Sequence, residues 1–331
     1  MYKSFYQLKQ EPFGLTPDPS FVYLTSQHRE ALSGLVYSVM SRPGLTLLIG
    51  EAGTGKTTLL YTLRSLLEKR NFAVALCVNP MLNAEEFYDF LLTKLLGKNP
   101  SRQKSQQLML LEEELLKNRA ENRPSILMID EAHRLPLELL EEIRLLLNLE
   151  TPREKLLEII LAGQQELTDV FRRPDLRQLK QRVSYVCRLK PLSLEDLRGY
   201  VNHRLRCGGR TDFSLFPDPT LRAIFEYTKG VPRLVNTICD NCLQIGFAMQ
   251  ARQITPAIAQ EAATDLDLVG HSNGLPAETA PLASNPFAAK PSAPPAASNG
   301  ATNGRSLTPI LPEADELKQK SPGFLARFVG R

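Results

Sequence analysis

The feature that most constrains this chain is a glycine-rich segment between an apolar run and a run with helical spacing. Residues 50–57 read Gly-Glu-Ala-Gly-Thr-Gly-Lys-Thr, which fits the pattern G-x-x-x-x-G-K-[ST]. Residues 45–49 before it are aliphatic or β-branched, and residues 57–70 after it repeat apolar side chains at helical intervals. The pattern needs a buried strand that leads directly into a helix. It therefore predicts an α/β fold.

The same segment predicts a phosphate site. Glycines allow successive backbone N–H groups to turn inward, and the start of the following helix adds positive potential. Lys56 could reach the β and γ phosphates of a nucleotide, and the Thr57 hydroxyl could bind Mg²⁺. A flexible turn between strand and helix is the alternative. The predicted contacts are Gly50, Glu51, Ala52, Gly53, Thr54, Gly55, Lys56, Thr57 and Thr58.

A second apolar run, residues 125–129, ends in Asp130 and Glu131. A buried central strand of a parallel sheet delivers such residues to its carboxyl edge, where phosphate loops also lie. Asp130 is therefore predicted to bind Mg²⁺ together with Thr57, and Glu131 to orient and deprotonate an attacking water. Without the upstream loop, the two acids could equally be a solvated helix start.

Strand-like and helix-like runs alternate up to about residue 189, which predicts a parallel sheet covered by helices. Predicted strands are residues 45–49, 73–78, 125–129, 157–161 and 185–189, and predicted helices are 57–70, 84–96, 105–119 and 137–148. After residue 189 helix start and stop signals take over, at Ser193, Asp218, Pro232 and Thr255. The predicted domains are a nucleotide-binding α/β domain over 1–190, a helical lid over 191–267 and a disordered tail over 268–331.

Composition excludes several classes of protein. The formal charge is +4; residues 268–331 hold six basic and four acidic residues, which leaves 34 and 32 in residues 1–267. Such a small excess does not by itself favour nucleic acid or a membrane surface. Five scattered cysteines argue against a disulfide framework. No apolar run approaches the ~18 residues of a membrane span. We therefore expect a soluble cytoplasmic protein, with the inner-membrane surface as an alternative location.

These motifs resemble those of the AAA+ ATPases, and within them the ExeA-like secretion ATPases and the TniB/TnsC-type transposition ATPases. The resemblance covers roughly residues 1–266. The segments that carry it are Pro12-Phe-Gly-Leu-Thr-Pro-Asp-Pro, His28-Arg-Glu-Ala-Leu, the phosphate loop, Asp130-Glu-Ala-His, Leu145-Leu-Leu-Asn-Leu-Glu, Leu161-Ala-Gly-Gln-Gln-Glu-Leu and Gly230-Val-Pro-Arg-Leu. A membrane span and a peptidoglycan-binding domain, which ExeA-like proteins often carry, have no counterpart in this sequence, which makes a direct role at the cell wall doubtful.

The resemblance implies roles for four further residues. Gln164 corresponds to sensor 1, which helps to position water and γ-phosphate, and Asn79 to the residue that restrains the catalytic glutamate. Arg182 corresponds to an arginine finger offered to the ATP of a neighbouring subunit, and Arg233 to sensor 2 at the start of a lid helix. A loop amide, a turn-forming Asn before Pro80 and a surface Arg are the structural alternatives. Arg172, Arg173 and Arg177 lie close enough to Arg182 in sequence to replace it.

By resemblance, we expect an oligomeric ATPase that couples ATP hydrolysis to the assembly or remodelling of a partner protein in a secretion or exopolysaccharide-export system. A membrane-associated partner is one candidate. The alternatives are a transposition-type ATPase that binds DNA and a nucleotide-dependent scaffold with little turnover. Residues 153–210 hold 13 basic and seven acidic residues, which suits DNA but also a subunit interface; nucleic acid is therefore not favoured. Asp130-Glu-Ala-His also spells a helicase box, but one ATPase domain does not suffice for that class.

Overall fold

The structure, a computed structural model, describes residues 2–15, 19–42, 44–97 and 104–269. Its centre is a five-stranded parallel sheet with the strand order β2-β3-β4-β1-β5. The strands are β1 (Leu45–Gly50), β2 (Ala73–Cys77), β3 (Ser125–Ile129), β4 (Leu157–Gly163) and β5 (Val183–Leu189). The helices are α1 (Tyr2–Phe5), α2 (Ser26–Ser41), α3 (Lys56–Glu68), α4 (Ala84–Leu96), α5 (Lys104–Ala120), α6 (Leu137–Leu146), α7 (Glu166–Val170), α8 (Arg177–Lys180), α9 (Leu194–Cys207), α10 (Asp218–Thr228), α11 (Pro232–Ala248) and α12 (Pro256–Asp265).

The predicted α/β class is confirmed, and the strands follow the sequence pattern closely. Strand β3 and helix α4 have the bounds that the pattern predicts. The ends of α4 are fixed by an Asn83–Glu86 capping box and by Gly97 in a left-handed conformation. Helix α2 was not predicted as an element, although Thr25 caps it by accepting a hydrogen bond from the backbone N–H of His28.

Side chains of the sheet alternate between two cores. Leu45, Leu47 and Ile49 of β1 pack into the core shared with α4, α5 and α6. Leu48, between them, packs on the opposite face against α2 and α3. A parallel sheet covered on both faces needs this alternation of apolar side chains. The result is a three-layer α/β body with the phosphate loop at the carboxyl edge of β1.

Helices α9 to α12 form a third hydrophobic cluster, which includes the buried thiols of Cys239 and Cys242. Tyr6, Leu8 and Phe13 from the N-terminal segment pack into the same cluster. Burial raises the pKa of both thiols, the expected behaviour of core cysteines. The chain thus runs from the helical cluster into the sheet and back again.

Two sequence-based expectations concern the tail and membranes. Beyond Val269, the predicted disordered tail lies outside the described residues. None of the helices in the described ranges combines the length and apolarity needed to cross a bilayer. The domain bounds at 190 and 267 remain predictions.

Candidate functional site

The phosphate loop joins β1 to α3 in a conformation that requires glycine. Gly53 has φ 78° and Gly55 has φ 98°, both in the left-handed region that side chains disfavour. A Cβ on Gly53 would lie 2.8 Å from the Cβ of Arg233, on helix α11. The backbone N–H of Arg233 donates to the carbonyl of Gly53 at 3.3 Å. The loop is therefore held between the sheet and the lid helix.

Lys56 lies beneath this loop with only 4% of its surface exposed. Its Nζ donates to the carbonyls of Gly50 at 2.8 Å and Glu51 at 3.0 Å. Burial lowers the pKa of Lys56, while the nearby charges of Glu131 and Asp130 act in the opposite direction. An ammonium group has three donors, so one remains for an anion. The loop thus presents a desolvated cation to the space above it.

Thr57 and Asp130 meet at the carboxyl edge. The Thr57 hydroxyl donates to Oδ2 of Asp130 at 2.5 Å, and the backbone N–H of Glu131 donates to Oδ1 at 2.9 Å. Asp130 itself is 1% exposed. No cluster of three or more His, Cys, Asp or Glu ligands occurs in the part of the chain that the structure describes. A paired hydroxyl and carboxylate fit Mg²⁺, which usually completes its shell with water and phosphate oxygens.

Glu131 follows Asp130 in a strained backbone conformation, with φ 51°. Such a conformation costs a non-glycine residue about 1 kcal/mol and often occurs at functional sites. Nε2 of His133 lies 3.5 Å from Oε2 of Glu131. The same imidazole is 3.4 Å from both the backbone N and the side-chain Nε2 of Gln164. His133 therefore bridges the predicted general base and the predicted sensor 1, a role that the motif did not reveal.

A cavity of about 520 Å³ opens above the loop, within the range of small-molecule sites. One end is formed by the phosphate loop with Glu131 and Gln164, the other by the N-terminal segment and helices α9 and α11. Its lining comprises Gly14, Leu15, Phe21, Val22, Tyr23, Leu24, His28, Ala52, Gly53, Thr54, Gly55, Lys56, Thr57, Thr58, Leu59, Glu131, Gln164, Leu192, Tyr200, Arg204, Pro232, Arg233 and Asn236. Most of the predicted contact residues therefore share one cavity.

His28, on the first turn of α2, also lines the cavity and contacts the phosphate loop. Its Nε2 lies 3.3 Å from the carbonyl of Thr54, and its Nδ1 lies 2.8 Å from the hydroxyl of Thr25. A carbonyl only accepts, so Nε2 carries the proton and Nδ1 accepts from Thr25. Burial lowers the pKa of His28, which favours this neutral form. The resemblance included His28, but without a role.

Five predicted site residues do not line this cavity: Gly50, Glu51 and Asp130, which adjoin residues that do, and Asn79 and Arg182, whose contacts are elsewhere. The Asn79 side chain accepts from the backbone N–H of Met81 at 3.4 Å, a local turn at the end of β2. Arg182 donates to the carbonyl of Leu147 at 3.1 Å and to Oδ1 of Asn148 at 2.6 Å. Since Arg182 precedes β5, it lies at the amino edge of the sheet, opposite the loop.

The three alternative arginines differ in their contacts. Arg172 pairs with Asp169 at 2.8 Å and Arg173 with Asp175 at 2.9 Å, both pairs on the surface. Arg177 is exposed, and no hydrogen bond or ion pair joins its side chain to another residue in the described ranges. Its guanidinium is thus available to a partner in a way that the paired arginines are not.

A glycine-rich loop at the end of a central parallel strand, a buried lysine and an acidic strand end define a P-loop nucleotide-binding protein of the AAA+ class. Residues 39–171 match the family described as AAA domain. The fold is similar to Drosophila ORC bound to DNA (TM-score 0.61, 19% identity, 80% of this chain and 66% of that one). It is also similar to the Cdc6p of Pyrobaculum aerophilum (TM-score 0.58, 18% identity, 76% and 71%). At these identities the likeness concerns the fold alone.

More narrowly, the chain belongs to the ExeA-like AAA+ ATPase family. It is 36% identical over 255 residues to General secretion pathway protein A of Aeromonas hydrophila. That alignment covers 77% of this chain and 46% of the relative, so the chain spans about half of the relative's length. The resemblance that the motifs suggested is confirmed.

Proposed function

We propose that this chain binds ATP with Mg²⁺, hydrolyses the nucleotide to ADP and phosphate, and couples its nucleotide state to the assembly or remodelling of a partner protein. The observation that carries the proposal is that Lys56, Thr57 and Glu131 line one end of the 520 Å³ cavity, where the Thr57 hydroxyl donates to the buried Asp130. A triphosphate is bound by a buried cation and the start of a helix, and this end of the cavity offers both.

Each residue has a defined task in this proposal. The free donor of Lys56 and the N–H groups of the loop bind the phosphates and neutralise their charge. Thr57 and Asp130 would hold Mg²⁺, which supplies further positive charge at the transferring phosphoryl group. Glu131 orients water and takes its proton. His133 holds the Glu131 carboxylate and the Gln164 side chain in position.

Arg233 would respond to the γ-phosphate from the lid. Helix α11 begins beside the loop, where Arg233 contacts Gly53 through its backbone. A change of charge on the nucleotide would alter the attraction between the Arg233 side chain and the phosphates. We propose that hydrolysis moves the lid in this way and that the movement is transmitted to the partner.

The site would be completed by oligomerisation. Arg182 lies at the amino edge of the sheet, so it is remote from the cavity of its own subunit. Its position supports an action on the ATP of a neighbouring subunit, as does that of the exposed Arg177. Secretion or exopolysaccharide export is the proposed setting, because the relative named General secretion pathway protein A is 36% identical. A cytoplasmic protein that reaches the inner membrane through its partner fits this setting.

The DNA-binding alternative has less support. Several basic residues within 153–210 are engaged by acids, namely Lys155, Arg172, Arg173, Arg198 and Arg210. Arg204 is buried and donates to carbonyls and a phenol. Strong stimulation of ATPase activity by duplex DNA, lost at higher salt, would favour this alternative.

The deciding experiment compares ATP turnover of the wild type and Glu131→Gln. Removal of the base should lower turnover by about 100-fold or more and leave nucleotide affinity within a few-fold. Glu138→Gln is the matched control, since Glu138 is an exposed acid in the first turn of α6. Equal and slow turnover in all three proteins would instead support a nucleotide-dependent scaffold.

A further inference from the structure

A chain of three buried polar side chains forms one wall of the cavity. Nη1 of Arg204 donates to the Tyr200 hydroxyl at 2.6 Å, and that hydroxyl donates to Oδ1 of Asn236 at 2.8 Å. The exposed fractions of Arg204, Tyr200 and Asn236 are 8%, 7% and 7%. All three residues line the cavity. None of them was predicted from the sequence as a site residue.

The donors and acceptors of these three hydrogen-bonded side chains fix the orientation of the Asn236 amide. A guanidinium group only donates, so the Tyr200 oxygen must accept from Arg204. The single proton of the phenol is donated to the carbonyl oxygen Oδ1 of Asn236. The other atom of the amide is consequently Nδ2, with two N–H donors. In the described ranges, the side chain of Asn236 forms its one hydrogen bond through Oδ1, and no residue accepts from Nδ2.

Asn236 lies on α11, which with α9 and the N-terminal segment forms the end of the cavity away from the phosphate loop. Arg233, which touches the phosphate loop at Gly53, is three residues earlier on α11. Three residues of helix advance about 4.5 Å along its axis, so Asn236 is displaced away from the phosphates. Through Arg204 it is connected to the N-terminal segment, because that guanidinium donates to the carbonyls of Pro12 at 2.6 Å and Gly14 at 3.1 Å.

We infer that Asn236 donates a hydrogen bond from Nδ2 to an acceptor on the nucleoside part of the bound nucleotide, a ring nitrogen or a ribose oxygen. Tyr200 and Arg204 are positioning residues that fix the amide with its donor toward the cavity. The inference rests on the proposed nucleotide binding and adds a residue that distinguishes a nucleotide from a bare polyphosphate.

The physical basis is the cost of a ligand acceptor that loses water on binding and finds no donor in its place. A nearly buried amide that gains an acceptor when the ligand binds contributes to affinity, and a site that has lost its donor binds the same ligand about 10-fold more weakly. The fixed orientation adds to this effect, because the free protein does not have to reorganise before binding.

The test uses the full chain and measures equilibrium binding of ATP and of inorganic triphosphate to the wild type, Asn236→Leu and Tyr200→Phe. Asn236→Leu removes the donor without adding charge, so affinity for ATP should fall about 10-fold while affinity for triphosphate stays unchanged. Tyr200→Phe frees the amide to rotate and should weaken ATP binding by about 3-fold. Asn241→Leu is the control on the same helix, because Asn241 donates to Thr237 outside the cavity.

The source of the acceptor is distinguished with analogues. Deaza-ATP analogues each lack one ring nitrogen, and 2′-deoxy-ATP lacks one ribose oxygen. The analogue without the contacted acceptor should bind the wild type and Asn236→Leu equally well, whereas the others should retain the 10-fold difference.

Two results would overturn the inference. One is an unchanged affinity of Asn236→Leu for ATP; the other is an equal loss for ATP and triphosphate, which would mean that the phosphate end is affected. If Asn236→Leu does not fold, an unaltered ATP affinity in Tyr200→Phe would contradict the orienting chain. Failure of the wild type to bind ATP is a different outcome, because it would refute the proposed function itself.

Discussion

The two edges of the central sheet carry similar charged groups in opposite arrangements. At the carboxyl edge, Lys56 and Glu131 line a cavity of about 520 Å³, and the buried Asp130 lies near Lys56. The lysine there donates only to backbone carbonyls, so its charge has no direct carboxylate partner in the described ranges. Charges that are desolvated but not neutralised attract a ligand of opposite sign.

At the amino edge the charges neutralise one another. Glu154 forms ion pairs with Arg42 and Arg119, and Lys155 pairs with Glu150. The cavity between these elements measures about 10 Å³, the space of about one water molecule. The difference teaches that a cluster of charged side chains is not by itself a sign of function. A site needs charge that is left for a ligand and a space in which the ligand fits.

The largest expected effect concerns the two lysines. Lys56→Ala should abolish ATP binding at millimolar nucleotide, because the loop loses the cation that faces the phosphates. Lys155, which donates to the carbonyl of Leu147 at 2.8 Å, is the counterpart at the amino edge. Lys155→Ala should leave ATP affinity within about two-fold and lower the melting temperature by a few degrees. Calorimetric titration and thermal unfolding measure the two effects.

Loss of nucleotide binding in Lys155→Ala, or its retention in Lys56→Ala, would contradict the proposed contrast between the two edges of the sheet. In the second case the inward-facing amides alone would suffice for affinity. Thermal unfolding without nucleotide should show Lys56→Ala at least as stable as the wild type, because a buried cation is removed.

A smaller effect is expected for the arginines near β5. Arg182→Ala should preserve ATP binding and lower turnover by at least about 10-fold if the guanidinium acts on a neighbouring subunit. Arg177→Ala is the matched comparison, because Arg177 is the exposed alternative. Whichever variant lowers turnover identifies the arginine, and steady-state ATPase assays provide the measurement.

A mixing experiment separates a finger from a structural arginine. Subunits with Arg182→Ala retain Glu131, and subunits with Glu131→Gln retain Arg182. In a mixed oligomer, an Arg182→Ala site next to a Glu131→Gln subunit receives the missing guanidinium, so the mixture should be more active than either variant alone. No recovery would indicate that Arg182 only stabilises the end of α6 through Leu147 and Asn148.

The local parts of this molecule could be predicted from its sequence. The bounds of β3 and α4 followed from apolar periodicity and capping residues, and the phosphate loop from its fixed spacing. Asp130 and Thr57 could be placed together because Asp130 follows β3 and Thr57 follows the loop after β1, and the carboxyl ends of parallel strands lie at one edge of the sheet. The bounds and the loop depend on interactions within a few residues, and this contact depends on the common direction of parallel strands.

The remaining site residues depend on tertiary packing. Arg204 contacts Pro12 across 192 positions of sequence, and Tyr200 contacts Asn236 across 36. Such pairs have no characteristic spacing in the sequence. A polar residue on a helix is usually solvated, so the sequence alone gives no reason to place it in a site. For Asn79, the resemblance implied a role at Glu131; its side chain accepts from the N–H of Met81 in a local turn, and the role at Glu131 stays a prediction.

The smallest expected effect lies at the amino edge, where Glu158 is buried on β4. Burial raises the pKa of Glu158 to about 7, although the N–H of Gly44 donates to its Oε2 at 2.9 Å. Between its ordinary value of 4.5 and about 7, the folded state binds more protons than the unfolded state. The contribution of Glu158 to stability is therefore full at low pH and is lost as the pH rises through 7.

Glu158→Gln should remove this dependence. At pH 8 the variant should unfold with a free energy about 1 to 3 kcal/mol higher than the wild type, and the difference should vanish near pH 4.5. Denaturant unfolding at several pH values measures it, while ATP turnover should be unaffected. A difference independent of pH would mean that Glu158 does not titrate in this range.

Glu154→Gln is the control with the opposite sign. Burial alone would raise the pKa of Glu154, but the hydrogen bond from Arg119 and the nearby Arg42 hold it below its ordinary value. Its contribution to stability is therefore present above pH 4.5 and lost as the pH falls further. Glu154→Gln should destabilise the protein at pH 8, where Glu158→Gln stabilises it. Since the two residues are four positions apart, opposite signs would show that the partly exposed, arginine-paired Glu154 and the buried Glu158 affect stability in opposite ways at this edge.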